Sequence, residues 1–140
     1  MTEPAVATAE PVDLLEGAAL HLGLDATATP MPDFSWDPAA LAAYVERFDG
    51  DGDEGRLVVM FDSAESWTSW ERHPRGEEVV VLVSGRMDLL QDRDGEERRV
   101  PMTAGMAVVN PKGVWHTADI HEPSRALFIT PGRGTEHRPR

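Results

Sequence analysis

Four residues in this chain carry side chains able to hold a metal ion, and they fall in two short segments. Glu71 and His73 are one residue apart, Glu78 follows after a Pro74-Arg75-Gly76 turn, and His116 comes after a second turn at Pro111-Lys112-Gly113. Two carboxylates and two imidazoles make the donor set of a divalent metal site, with nitrogen and oxygen ligation suited to Fe, Mn, Ni or Zn. On a strand, residues two apart point to the same face, so Glu71 and His73 project together while Arg72 faces away. Glu78 opens a β-branched run in phase with Val80 and Leu82, which puts Glu77 on the opposite face. His116 shares its face with Ala118 and Ile120, small and apolar neighbours suited to a barrel interior. Two neutral imidazoles and two carboxylates would balance the charge of a divalent ion, which makes burial of all four tolerable. Any one of them alone reads as a rim residue or a solvated charge. Four in phase read as a metal or polar site.

The elements that must position them are short strands. From residue 55 onward, short strand-like segments recur at close spacing: 57–61, 67–73, 79–83, 87–90, 98–101, 107–109, 114–120 and 126–129, separated by repeated Gly, Pro and Asp. This spacing predicts a sandwich or barrel and excludes βαβ units. Ahead of it, Leu20, Leu22 and Leu24 alternate with polar residues or glycine as in a half-buried strand. Asp37-Pro38 starts a short helix as N-cap and first helical residue, with Leu41, Tyr44, Val45 and Phe48 as its apolar face. The Asp- and Gly-rich stretch 49–55 lacks the glycine and glutamate that a calcium loop needs and reads as a solvated turn. Residues 1–12 and the polar, basic tail 131–140 are expected to pack little. His21 is expected on a polar strand face, and His121 and His137 in loop or tail, none of the three having a partner at metal-ligand spacing. Trp67, Trp70 and Trp115 are expected to pack the barrel wall or an interface.

The chain has 140 residues, which sets one domain with a real core. No cysteine is present, so disulfides and thiolate ligands are excluded. The formal charge of −12 argues against nucleic acid or anionic membrane as a partner, because both need a cationic footprint. The opening MTEPAVATAEP has neither a basic start nor an apolar stretch, and a cytoplasmic protein is expected. Val79 to Val83 is apolar on both faces, so the outward face needs cover from the N-terminal segment or from a second subunit, and of these a homodimer is expected. No nucleophile elbow, phosphate loop or dinucleotide fingerprint appears.

The same two segments resemble the motifs of the cupin superfamily. The first motif, G-x5-H-x-H-x3/4-E-x6-G, is matched by His73, Glu78 and Gly85; the second, G-x5-P-x-G-x2-H-x3-N, by Gly105, Pro111, Gly113 and His116. Three positions depart from it: Glu71 stands at the first histidine, Ile120 replaces the final asparagine, and no glycine begins the first motif. The resemblance implies an all-β double-stranded β-helix, a jelly-roll barrel over residues 55–130, preceded by an extension (1–54) containing one short helix. It also implies a metal held by Glu71, His73, Glu78 and His116, with Glu71 either a ligand or a base beside the site. The expected function is a small metal-dependent enzyme acting on a small oxygen-rich metabolite by dioxygenase, isomerase or lyase type chemistry. The alternative is a non-catalytic ligand-binding or sensor cupin. Fold alone does not choose between them.

Overall fold

The computed structural model describes residues 10–140. Nine strands and one α-helix follow in the order β1 (Ala19–Leu22), β2 (Ala28–Met31), α1 (Pro38–Arg47), β3 (Arg56–Ser63), β4 (Ser69–Arg72), β5 (Glu78–Arg93), β6 (Glu96–Thr103), β7 (Ala107–Asn110), β8 (Trp115–Pro131) and β9 (Glu136–Pro139). All strand pairs are antiparallel. The spine is the long pair β5–β8, in register from Val79↔Ile129 to Asp92↔Trp115. The first half of β5 also pairs with β7 and the second half with β6, while β3 lies along the end of β8 and β4 along its start. Two sheets therefore share one spine and close over a common core, the double-stranded β-helix that the motifs imply. Among the described residues no helix is long and apolar enough to cross a membrane.

The separate strands expected at 79–83 and 87–90 are one strand, and so are 114–120 and 126–129. Register shifts between Leu82 and Met87 let the pair bend from one sheet to the other without ending. Gly85 sits in this bend with φ +90°. The β5–β6 hairpin turns on Asp94 and Gly95, both at positive φ, the pattern of a two-residue type I′ turn. Inside, Val80, Leu82, Met87 and Leu89 of β5 meet Ala118, Ala126 and Phe128 of β8, with Leu57 and Val59 of β3 and Met102 of β6. Helix α1 starts as expected, Asp37 accepting the Ala39 N–H at 2.8 Å with Pro38 following.

The N-terminal extension is pinned differently from the sequence expectation. In β1 the buried residues are Ala19 and His21, while Leu20 and Leu22 are only half-buried. The polar ring can face inward because both its nitrogens have partners: Nδ1 lies 2.7 Å from the Tyr44 hydroxyl and Nε2 lies 2.6 Å from Asp51 Oδ2. Phe48 stacks on it at 3.6 Å between centroids. Burial, assisted by Asp51, pushes the Tyr44 phenol up to about 12, so the hydroxyl stays protonated and hydrogen-bonded. Asp51 lies in the stretch expected to be a solvated turn; it binds His21 and the Leu24 N–H instead. His21→Ala would leave the buried Tyr44 hydroxyl without its partner and is expected to destabilise the fold by about 1–3 kcal/mol, measured by urea unfolding.

The tail is the second correction. Residues 136–139 form β9, which pairs with β4 as Ser69↔Pro139, Trp70↔Arg138, Glu71↔His137 and Arg72↔Glu136. Its arginines supply the reason. Arg138 lies over Trp70 and Trp115 and binds Asp92 at 2.8 Å, and Arg140 reaches Asp119 and the carbonyl of Trp67. Basic residues at the end of an acidic chain find carboxylates and aromatic faces rather than water. The expectation of loose packing for residues 1–12 lies, for 1–9, outside the described residues.

Candidate metal centre

Antiparallel pairing brings the four sequence-predicted residues together. Directly opposed residues share a face, so the pair Glu71↔His116 places both side chains on one side of the β4–β8 ladder. His73 comes just after β4, and its carbonyl accepts the Gly113 N–H at 3.0 Å, which ties the first turn to the second. Glu78 enters from the start of β5, opposite Asn110 of β7. One ligand atom from each of Glu71, His73, Glu78 and His116 lies within 4.8 Å of all the others. His73, Glu78 and His116 are buried and Glu71 is partly open. Glu77 is exposed and Arg72 turns outward onto Trp115, as alternation requires.

The fit to a cation rests on the histidine nitrogens. His73 Nε2 lies 3.0 Å from Glu71 and 3.1 Å from Glu78, and His116 Nε2 lies 3.1 Å from Glu78 and 3.6 Å from Glu71. Despite these short distances neither Nε2 makes a hydrogen bond, and both atoms are buried. Buried polar atoms without partners are rare and need an explanation. The other ring nitrogens are engaged: His116 Nδ1 faces the Val114 carbonyl at 3.4 Å and His73 Nδ1 the Thr135 hydroxyl at 3.0 Å. A carbonyl only accepts, so His116 Nδ1 carries the proton and, in the neutral ring, the Nε2 lone pair is free. The Nε2 atoms of both histidines and the two carboxylates converge on one point.

The Cupin domain family model matches residues 57–131, more than half of the 140 residues. The chain belongs to the cupin family. Solved structures similar to this chain include a cupin-2 domain protein of Shewanella frigidimarina, with 24% identity, TM-score 0.47 and coverage of 57% of this chain and 72% of that one. Another is a Streptomyces nucleoside dehydratase, with 15% identity, TM-score 0.51 and coverage of 60% and 68%. A third is a Klebsiella pneumoniae protein with a double-stranded β-helix domain, at 21% identity, TM-score 0.49 and coverage of 61% and 76%. No functionally curated protein matches the sequence.

In this cupin, Glu78 is held by a chain of polar contacts. Asn110 donates to Glu78 Oε1 at 3.0 Å and Thr130 to Oε2 at 2.7 Å. Gln91 donates in turn to Asn110 Oδ1 at 2.9 Å, and Arg93 to Gln91 Oε1 at 2.9 Å. Glu71 uses Oε2 on His137 of β9 at 3.0 Å, which leaves Oε1 toward the histidines. Sequence reasoning missed Asn110, Gln91, Thr130, Thr135 and His137. The first two carried a signal, being polar residues at inward positions of apolar strands; His137 carried none, because only the β4–β9 pairing brings it in.

Toward protons, the four groups work against one another. Burial acts to raise Glu78, but the nearby His116 and His73 rings outweigh it and hold its carboxyl at about 2; the same rings hold Glu71 well below the carboxylate range. Burial acts to lower His116, and the adjacent Glu71 and Glu78 outweigh it and raise the ring to about 9, with His73 raised in the same way.

A cavity of about 630 Å³ opens beside this centre. Glu71 and Glu78 line its floor, with Thr130 and His137 next to them, and Leu57, Val59, Phe61, Trp67, Phe128 and Trp36 form its walls. Trp67 is thus both a packing residue of the barrel and part of the cavity wall, whereas Trp70 and Trp115 lie outside against Arg138.

Proposed function

We propose that this cupin is a small metal-dependent enzyme in which Glu71, His73, Glu78 and His116 hold a divalent ion, Fe, Mn, Ni or Zn, and that it acts on a small molecule admitted through the cavity. Dioxygenase, isomerase and lyase type chemistry all suit such a site. The observation that carries the reading is the pair of buried Nε2 atoms without hydrogen-bond partners, aimed between two carboxylates. An ion bound there supplies Lewis-acid polarisation of a substrate oxygen or, if redox-active, electron transfer. The chain's own part is to orient and to enclose. Asn110 and Thr130 fix both oxygens of Glu78, Val114 fixes the His116 tautomer, and His137 holds one oxygen of Glu71.

Elemental analysis of the purified protein tests this directly, with one ion per chain as the expected result and an ion-free protein as the contrary one. A pH signature accompanies it. His116, raised to about 9, carries a proton at neutral pH, and a metal ligand must be neutral. Ion uptake at pH 7 is therefore expected to release protons, and affinity to rise with pH until about 9 and then level. Calorimetry in two buffers of different ionisation enthalpy measures the protons released. The apolar character of the cavity walls favours one second reading, a binding cupin that holds its ligand without turning it over; an ion-free protein that still takes up ligand would support it.

The proposal includes a homodimer. The outward face of the sheet carries Val79, Val81 and Val83 of β5 beside Val109 of β7 and Leu127 and Ile129 of β8. Val83 and Val109 are 44% and 47% exposed, and β1 and β2 pair along β3, away from this face. A second copy is the cover that suits a two-sided apolar strand. Light scattering at micromolar concentration is expected to give the mass of two 15.4 kDa chains. Val109→Glu is expected to give one chain that retains its metal.

A further inference from the structure

We infer that the ligand of this cavity is amphipathic, with a flat aromatic or alicyclic body of two rings or more and an oxygen-bearing group at one end only. The inference rests on the proposed metal centre for the head of the ligand and is independent of it for the body.

The cavity is graded along β3 and β8. Leu57 pairs with Thr130, the residue that donates to Glu78, so this end of the ladder lies at the polar floor. Two residues on, Val59 pairs with Phe128; two further, Phe61 pairs with Ala126. Leu57, Val59 and Phe61 share a face, and four residues of strand span about 13 Å. Over that length the wall changes from Glu78, Thr130 and Glu71 to aromatic rings. Trp67 and Phe128 lie 5.9 Å apart between centroids, Phe61 and Phe128 5.7 Å, and Trp36 and Phe61 5.5 Å. Asp62, near the aromatic end, is engaged by Arg125 through two hydrogen bonds.

Two further features select the body. Trp36 and Phe61 are 49% and 42% exposed, an unfavourable state for large rings that an apolar ligand would relieve. The volume of about 630 Å³ is also far beyond the ~150 Å³ of a cavity that takes up one benzene. A polyhydroxylated molecule of the same size would set most of its hydroxyls against Leu57, Val59, Phe61, Trp67 and Phe128, with Ser63 and Ser69 as the hydroxyl partners along that length, and would lose hydration that they cannot replace. The oxygen-rich metabolite expected from the motifs is thereby narrowed to one whose oxygens gather at one end.

Two probes of nearly equal size separate the cases: 3-hydroxy-2-naphthoate and gluconate, titrated into the metal-loaded protein with tryptophan emission and calorimetry as readouts. The naphthoate is expected to bind at least about tenfold more tightly and to quench emission. Trp36→Ala and Phe61→Ala, both at exposed positions, are each expected to weaken it about tenfold while ion content stays unchanged. Gluconate binding equal to or tighter than naphthoate binding would overturn the inference, and so would naphthoate binding indifferent to both substitutions. If the protein holds no ion and still binds the naphthoate with that dependence on Trp36 and Phe61, the inference stands and the metal centre falls. If it holds the ion and does not bind the naphthoate, the metal centre stands and the inference falls.

Discussion

Replacing His116 by alanine is expected to lower affinity for the divalent ion by more than about a hundredfold, enough to leave the purified protein without it. The residue is fully buried, its Nδ1 is turned to the Val114 carbonyl, and its Nε2 has no other partner. Glu78 cannot shift to fill the gap, because it is already held at both oxygens by Asn110 and Thr130. His73→Ala is expected to do the same. Adding Mn²⁺, Fe²⁺, Ni²⁺ or Zn²⁺ should then raise the melting temperature of the parent protein and not of either variant, since only a folded-state site converts free ion into stability. Glu77→Gln, on the exposed face, should leave ion content untouched, and Asn110→Leu should weaken it about ten- to a hundredfold by freeing Glu78. Glu71 divides the possibilities, with one oxygen toward the histidines and the other on His137. As a ligand, Glu71→His should keep the ion with altered metal preference; as a base beside the site, Glu71→Gln should keep the ion and lose turnover. Ion retained in both His73→Ala and His116→Ala, with the fold checked by circular dichroism, would refute the site.

Gly85→Ala is expected to cost about 3–5 kcal/mol of stability. At φ +90° a side chain is strained whatever its surroundings, and here the added Cβ would lie 2.4 Å from the Pro123 carbonyl oxygen and 2.7 Å from Ser124 Cα. Both are backbone atoms of the partner strand, so nothing flexible can yield, and the bend that carries β5 and β8 from one sheet to the other must open. Gly105→Ala separates the two contributions. It has φ +92° and no atom within 4 Å of the added Cβ, so it bears the backbone strain alone, about 1–2 kcal/mol. Urea unfolding of the two variants measures the difference. Equal losses would show that the close approach at Gly85 relaxes without cost.

Alternation alone determined which residues could meet. Period-two phasing separated Glu71 and His73 from Arg72, and Glu78 from Glu77, and the structure keeps each on the face so assigned. The turns were legible too, because Asp94-Gly95 and Pro111-Lys112-Gly113 need backbone conformations that few other residues adopt. Where one strand ended was not legible: Ser84-Gly85 looks locally like a turn, and only pairing with β8 makes it a bend within one continuous strand. The same holds for polar residues at the ends of the chain. His21 and His137 look solvated by their neighbours in sequence, since what satisfies them comes from 23 to 66 residues away: Tyr44 and Asp51 for one, Glu71 for the other. The depth and grading of the cavity depend on which residues of β3 oppose which of β8, a register set by the whole barrel. Local chemistry is written in residue type and spacing, because a strand has only two faces; partners across the fold are decided by tertiary pairing, because burying a polar group requires a mate that the neighbouring residues do not supply.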